Sequence, residues 1–191
     1  MYDTYVSSAL EQLEQECWQP QLQQGKDVLQ SRLESFPEGQ LALEVGSSES
    51  GWVVAGSLYT LRVRDDKQLQ GAQYHSLPQL HCQEGGVLQL ISIQVSKLQR
   101  SSTYGSALRD HALGLASLDD SIGKVMGVTR CRGYGTAAAG CKGLSMMEHI
   151  ENGDAGVKFH TSRGAQLRGL VPNFRPEDVD NTGTGVIIEY T

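Results

Sequence analysis

The stretch Leu88-Gln89-Leu90-Ile91-Ser92-Ile93-Gln94-Val95-Ser96-Lys97-Leu98-Gln99-Arg100-Ser101-Ser102-Thr103-Tyr104-Gly105 decides how this chain is read. Apart from the Leu90-Ile91 step, its first eight residues alternate apolar and polar side chains, the period of a half-buried strand. A short polar segment follows and ends in Arg100-Ser101-Ser102-Thr103-Tyr104-Gly105. Beyond it Ala107, Leu108, Ala112, Leu113, Leu115 and Ala116 recur at helical spacing. A strand, a polar loop and a helix in this order point several backbone N–H groups at one spot. The helix N-terminus adds partial positive charge there, so the spot favours an anion such as a phosphate. Taken alone, the same pattern also describes an ordinary strand-to-helix turn.

Outward from this stretch the chain punctuates itself clearly. Residues 4 to 17 form a helical pattern with Val6, Leu10 and Leu13 on one face and Cys17 following at the same spacing. Trp18-Gln19-Pro20 ends it. A second helical pattern through Val28, Leu29 and Leu33 stops at Phe36-Pro37-Glu38-Gly39. Leu41 to Val45 and Trp52 to Tyr59, separated by a Gly/Ser/Glu turn, read as a β-hairpin. Residues 64 to 86 are polar and irregular and read as a loop. Val125 to Thr129 reads as a buried strand, followed by a glycine-rich loop from Arg132 to Gly143 and a short apolar helix around Leu144 to Ile150. Gln166 to Val171 and Val186 to Tyr190 supply two further strands. The order predicts a single mixed α/β domain over residues 1–191, with a mostly antiparallel sheet.

Composition excludes several classes. The chain has 191 residues and a net charge of −6, which draws it neither to nucleic acid nor to an anionic membrane. It lacks an 18-residue apolar run, and the first residues lack the basic region and apolar core of a signal peptide, so the expected location is the cytoplasm. Cys17, Cys82, Cys131 and Cys141 form no C-x-x-C pair; reduced structural thiols are expected and no metal site. Ser145 and Ser162 have no triad context. His75, His81, His111 and His149 show no usable partner spacing, and His111 and His149 are expected on helix surfaces.

The element order is that of the GNAT superfamily of acyltransferases. Arg100-x-x-Thr103-x-Gly105 resembles that superfamily's Q/R-x-x-G-x-G/A loop, which cradles the pyrophosphate of coenzyme A. Phe159-His160-Thr161-Ser162-Arg163-Gly164 sits where many acetyltransferases carry Phe-Tyr-x-x-x-Gly, with His160 replacing the tyrosine that protonates a leaving thiolate. A narrower resemblance extends from about Glu16 to Tyr190. Cys17-Trp18, Leu88 to Val95, Gly127-Val128-Thr129-Arg130-Cys131-Arg132, Met146-Met147-Glu148, Phe159-His160, Phe174-Arg175-Pro176-Glu177-Asp178, Asp180-Asn181 and Gly185 to Tyr190 resemble GNAT-like decarboxylase domains of polyketide-synthase loading modules, of the curacin and saxitoxin type.

That resemblance implies decarboxylation of a malonyl-type thioester, with the acyl group delivered as a starter unit to the phosphopantetheine arm of an acyl carrier protein. Neighbouring polyketide synthase domains are then partners, and coenzyme A or the arm itself is the substrate carrier. It implies Thr129 and His160 as the catalytic pair, and Trp18 on the substrate path. It also implies Val95 and the loop Arg100, Ser101, Ser102, Thr103, Tyr104 and Gly105 as the coenzyme A contacts. Arg175 has two readings, a surface ion pair or a fork that holds the substrate carboxylate or a carrier phosphate. Taken alone, Thr129 is also ordinary β-branched strand filler and His160 an ordinary half-buried histidine.

The chemistry agrees with the pair. Losing CO2 from a malonyl thioester leaves an enolate, so donors are needed where charge develops on the thioester oxygen. A threonine hydroxyl supplies one hydrogen bond. An imidazole supplies another and, when protonated, can return a proton to carbon. Thr103 departs from the superfamily pattern by standing at the first loop glycine. A β-branched residue is poor there if φ must be positive, and harmless if φ is helical. The departure turns attention to substrate already on a carrier protein, which presents a single phosphate. Arg130, Arg132 and Lys142 are candidates for a local basic face that would receive such a carrier. The alternative functions are an S-acyltransferase moving acetyl from acetyl-CoA to the carrier, and a catalytically silent scaffold of the same fold.

Overall fold

The computed structural model describes residues 4–99, 101–132, 134–135 and 145–190. Arg100, Gly133 and residues 136–144 lie outside the described residues; these include Cys141, Lys142 and most of the glycine-rich loop. The chain divides into two compact units, Met1–Leu61 with Leu90–Asp120, and Arg62–Gln89 with Ser121–Thr191. A six-stranded sheet has the order β1-β2-β3-β4-β6-β5, and β2 and β3 contribute residues to both units. It is mostly antiparallel, with one parallel pair, and helices flank it.

In the first unit, α1 (Thr4–Cys17) and α2 (Lys26–Ser35) bury Leu10, Leu13, Leu29 and Leu33, the stripes expected from their spacing. Pro37-Glu38-Gly39 forms a 3-10 turn between α2 and the first strand. β1 (Leu41–Ser47) pairs antiparallel with β2 (Gly51–Val63), with a bulge between Leu43 and Glu44. β3 runs Val87–Val95, and α3 (Tyr104–Ser117) buries Leu108, Ala112 and Ala116, one residue per turn. Leu115, also expected on that face, is exposed. Gly56 lets β2 lie close to its neighbours, because a Cβ there would stand 2.9 Å from the Gln94 carbonyl and 3.0 Å from Leu108.

In the second unit, β4 (Lys124–Arg130) pairs antiparallel with β6 (Gly185–Tyr190), and β6 with β5 (Gln166–Val171). Val125 faces Tyr190 and Thr129 faces Val186 across the ladder. α4 (Met146–Glu151) starts on a capping box, with the Glu148 N–H donating to Ser145 Oγ and the Ser145 N–H to Glu148. That bonding holds the Glu148 carboxyl below its ordinary range. Residues 64 to 86, read as a loop from sequence, contain 3-10 helices Asp66–Leu69 and Tyr74–Leu80. Leu69 and Leu77 are fully buried there, and the Tyr74 N–H donates to the Phe174 carbonyl at 2.7 Å. The polar composition concealed two inward anchors, each too short to show a period.

A further helix, α5 (Ala155–Thr161), was not expected from the sequence. Asp154 caps it by accepting the Val157 N–H at 2.8 Å. Only seven residues long and with Gly156 inside it, it carries too few apolar positions to display a stripe. Its Val157 packs in a cluster with Cys131, Met146, Ile150 and Val186. Among the described residues no helix is long and apolar enough to cross a membrane, and Cys17, Cys82 and Cys131 are in no disulfide.

Candidate active site

Thr129 and Arg130 end β4, and both are half-buried. The first turn of α5 lies on this strand end. A Cβ at Gly156 would stand 2.9 Å from the Arg130 carbonyl oxygen and 3.7 Å from Thr129 Oγ1. Glycine therefore permits an approach that any other residue would widen. The far end of the same helix carries His160. Its Nδ1 lies 2.6 Å from Tyr190 Oη, the rings meeting edge-on with centroids 6.1 Å apart. Phe159 packs its own ring edge against the imidazole at 4.9 Å. In the tautomer where the Tyr190 hydroxyl donates to Nδ1, the proton of the neutral imidazole sits on Nε2 and makes it a donor. Tyr190 was quoted in the sequence only as the last residue of a strand motif; its contact with His160 spans 30 residues.

The segment before β6 adds three groups. Arg175 is buried, with its guanidinium 4.0 Å above the Tyr74 ring, and Tyr74 in turn meets Phe174 edge-on at 5.9 Å. The surface ion-pair reading of Arg175 therefore fails, since almost none of the side chain reaches solvent. Arg130 holds Asp178 with both nitrogens of its fork, Nη2 to Oδ1 at 2.5 Å and Nε to Oδ2. The Asp178 N–H donates to the Arg175 carbonyl at 2.9 Å. Arg130 is thus committed to a buried carboxylate, which removes it from the expected basic face. Arg132 is exposed.

In the first unit, Val95 closes β3 and its carbonyl accepts from the Cys17 thiol at 3.3 Å. Trp18, the next residue along, is half-buried; its N–H donates to the Glu14 carbonyl and its own carbonyl accepts from Gln23. Glu16 clamps the segment after the strand. Its carboxylate accepts from Ser96 Oγ at 3.0 Å, from the Leu98 N–H at 3.0 Å and from the Lys97 N–H. Lys97 Nζ returns to the Glu16 carbonyl at 2.6 Å. Burial first, and the Glu16 charge second, push the Cys17 thiol up to about 11, so it stays protonated at neutral pH.

The phosphate-type loop follows. Ser101 Oγ and Thr103 Oγ1 lie 2.9 Å apart, and the Thr103 N–H donates to Ser101 Oγ at 3.3 Å. Thr103 has φ −95° and ψ −19°, so the threonine is unstrained where the superfamily carries glycine. The Thr103 side chain makes no cap bond to α3. Ser102 and Thr103 are exposed, while Ser101, Tyr104 and Gly105 are half-buried. Thr129, His160 and Arg175 all belong to the second unit. Val95, Trp18 and the loop belong to the first. Arg100 lies outside the described residues.

This sheet order, with a strand–helix–strand passage through a polar loop, defines a GNAT-superfamily fold. No protein-family profile matches the chain, and no curated protein matches it by sequence. Solved structures do. A GNAT-like decarboxylase, GphF, in complex with isobutyryl-CoA matches with a TM-score of 0.86 and 32% identity, over 97% of this chain and 94% of that one. The loading GNATL domain of CurA from Lyngbya majuscula matches with a TM-score of 0.85 and 27% identity, over 96% and 92%. Malonyl-CoA decarboxylase from Cupriavidus metallidurans gives 0.64 at 12% identity, over 100% of this chain and 59% of that one, a likeness of fold. The chain belongs to the GNAT-like decarboxylases, thioester decarboxylases of the GNAT superfamily.

Proposed function

We propose that this chain removes CO2 from a malonyl- or methylmalonyl-type thioester and leaves the shortened acyl group as the starter unit of a polyketide synthase. The thioester is carried on the phosphopantetheine arm of an acyl carrier protein or on coenzyme A. The observation that carries this reading is the anchored His160. Tyr190 ties its Nδ1, on a helix whose first turn lies against the Thr129 strand end. The isobutyryl-CoA of GphF and the loading-domain context of CurA support the thioester class and the assembly-line setting.

In the reaction the bond between the substrate's α-carbon and its carboxylate breaks. The electron pair moves into the thioester carbonyl, giving an enolate, and CO2 departs. Thr129 Oγ1–H and His160 Nε2–H donate to the oxygen on which charge develops. Each such donor is worth about 3 kcal/mol, or roughly a hundredfold in rate. A proton then returns to the α-carbon from water, or from His160 when its imidazole is protonated, which leaves the ring neutral. Arg175 binds the substrate carboxylate and fixes it out of the thioester plane, where the breaking bond overlaps the carbonyl π system. Its stacking on Tyr74 limits the directions its fork can take. Trp18 lines the acyl path. Val95, Arg100 and Ser101 to Gly105 hold the carrier's pantetheine and phosphate, with the first turn of α3 as donor.

The test is intact-protein mass spectrometry of malonyl-loaded and methylmalonyl-loaded carrier protein, with malonyl-CoA in parallel. Loss of one CO2 only in the presence of the domain is expected, and the faster substrate names the starter. Thr129→Val and His160→Ala are each expected to slow the loss by about a hundredfold. Wild-type rates in both variants would sink the assignment of the pair. Label passing from acetyl-CoA to unloaded carrier without any decarboxylation would favour acyl transfer instead.

A further inference from the structure

Cys131, His149 and Asp154 show no metal-ligand spacing in the sequence, yet the fold gathers them. One ligand atom from each lies within 4.8 Å of the others. Cys131 follows β4, His149 belongs to α4, and Asp154 caps α5. The Cys131 residue is fully buried, and the Asp154 side chain is 1% exposed and that of His149 13%. His149, expected on a helix surface, instead turns its imidazole into this group. Its Nε2 lies 3.2 Å from the Arg132 carbonyl oxygen and 3.7 Å from Asp154 Oδ2. The Tyr134 ring meets the imidazole edge-on at 5.7 Å. Asp154 uses Oδ1 on the Val157 N–H, which leaves Oδ2 as the atom facing histidine.

We infer that these residues form a binding site for a borderline-soft divalent cation of the zinc class, with Cys131 Sγ, His149 Nε2 and Asp154 Oδ2 as ligands and the Arg132 carbonyl as a fourth oxygen. Bonds of about 2.0–2.3 Å in a tetrahedral sphere put neighbouring donor atoms about 3.3–3.6 Å apart. The separations of 3.2 Å and 3.7 Å around His149 Nε2 lie just to either side of that spacing. The three ligand atoms all lie within 4.8 Å of one another, so closing on an ion takes side-chain shifts on the order of an ångström. A thiolate, an imidazole and a carboxylate together suit zinc-class ions and exclude magnesium and calcium, which take oxygen ligands.

On binding, the Cys131 thiol loses its proton to solvent and a sulfur–metal bond forms. His149 gives up its Nε2 proton to solvent and takes one from solvent on Nδ1, so that Nε2 binds through its freed lone pair. The ion would join the residue after the Arg130 strand end to the cap of the helix that carries His160. It is a clamp on the support of the proposed catalytic pair and does not depend on which substrate that pair acts on. Without an ion, the same group is a histidine whose Nε2–H donates to a carbonyl beside an acid, and that arrangement makes no thiolate–metal bond.

The test uses the whole chain, stripped with chelator and titrated with cobalt(II) alone. A thiolate-to-cobalt charge-transfer band in the near ultraviolet is expected to saturate at about one equivalent and to vanish when zinc displaces the cobalt. Cys131→Ser is expected to abolish the band, and His149→Ala to weaken cobalt binding at least tenfold while the far-ultraviolet circular dichroism stays native. If Cys131→Ser fails to fold, the His149→Ala titration decides. Absence of the band at saturating cobalt, or a band with unchanged intensity and midpoint in His149→Ala, overturns the site.

Discussion

Replacing Tyr190 by Phe removes a single oxygen, the one 2.6 Å from His160 Nδ1, and keeps the ring that packs edge-on against the imidazole. Tyr190 is only 8% exposed, so water cannot freely take the hydroxyl's place. Losing such a hydrogen bond costs about 1 kcal/mol, and somewhat more if Nδ1 is left without a partner. For a domain of this length that corresponds to a fall in Tm of about 2–4 °C per kcal/mol. The same loss frees the imidazole to exchange its tautomer and ring orientation. If all of about 1 kcal/mol served to hold the donor toward the developing enolate, kcat should fall roughly fivefold. KM should stay unchanged, because Tyr190 acts through His160. The assay is the carrier-protein decarboxylation, run as a cycle of Tyr190→Phe, His160→Ala and the double variant. In the His160→Ala background the tyrosine change should cost no further rate. An unchanged kcat with a lowered Tm would make the hydrogen bond purely structural. A further fall in the double variant would refute the idea that Tyr190 works through His160.

Three further outcomes follow from the geometry. Gly156→Ala should lower stability by about 1–3 kcal/mol, despite alanine's better helix propensity, because its Cβ would press on the Arg130 carbonyl at 2.9 Å; a raised Tm would contradict this. Asp178→Ala should cost about 2–3 kcal/mol in a urea titration, since it leaves the partly buried Arg130 charge without its carboxylate. A loss below about 0.5 kcal/mol would mean that water replaces the pair. The Cys17 thiol is raised from 9.0 to about 11, so above pH 9 the unfolded chain ionises while the folded one does not. Its contribution to stability is therefore present below pH 9 and lost as the pH rises toward about 11. The difference in stability between wild type and Cys17→Ala should shrink across that window, and a difference that grows would reverse the sign.

The acidic net charge and the commitment of Arg130 to Asp178 bear on carrier docking. Of the three cations proposed for a basic face, Arg132 is exposed, Arg130 is neutralised, and Lys142 lies outside the described residues. For a carrier protein docking as proposed, the Arg130 charge is already paired with Asp178. Association should therefore depend only weakly on salt, which a titration of the carrier at two ionic strengths would measure.

The sequence by itself determined the elements whose signal is local. The strand at Leu88 to Val95, the four-residue recurrence of Leu108, Ala112 and Ala116, and the breaker at Pro37 to Gly39 each lie within a few neighbours, and these elements form; the expected half-burial of that strand is not found, because Gln89, Ser92 and Gln94 are buried as well as the apolar residues. The family was legible too, through several separate motifs in one order. Elements below the length of a period stayed hidden: the 3-10 helices inside residues 64 to 86, and α5, whose capping Asp154 is seen as a cap only once the helix exists. Only the tertiary structure decided the partners. The β4–β6 register sets Tyr190 opposite Val125, and its hydroxyl reaches His160 from 30 residues away. Arg130 finds Asp178 across 48 residues, and Glu16 finds the Lys97 N–H across 81. A period records which face a residue occupies. It holds no information about which distant side chain arrives on that face, because that depends on strand register and helix docking.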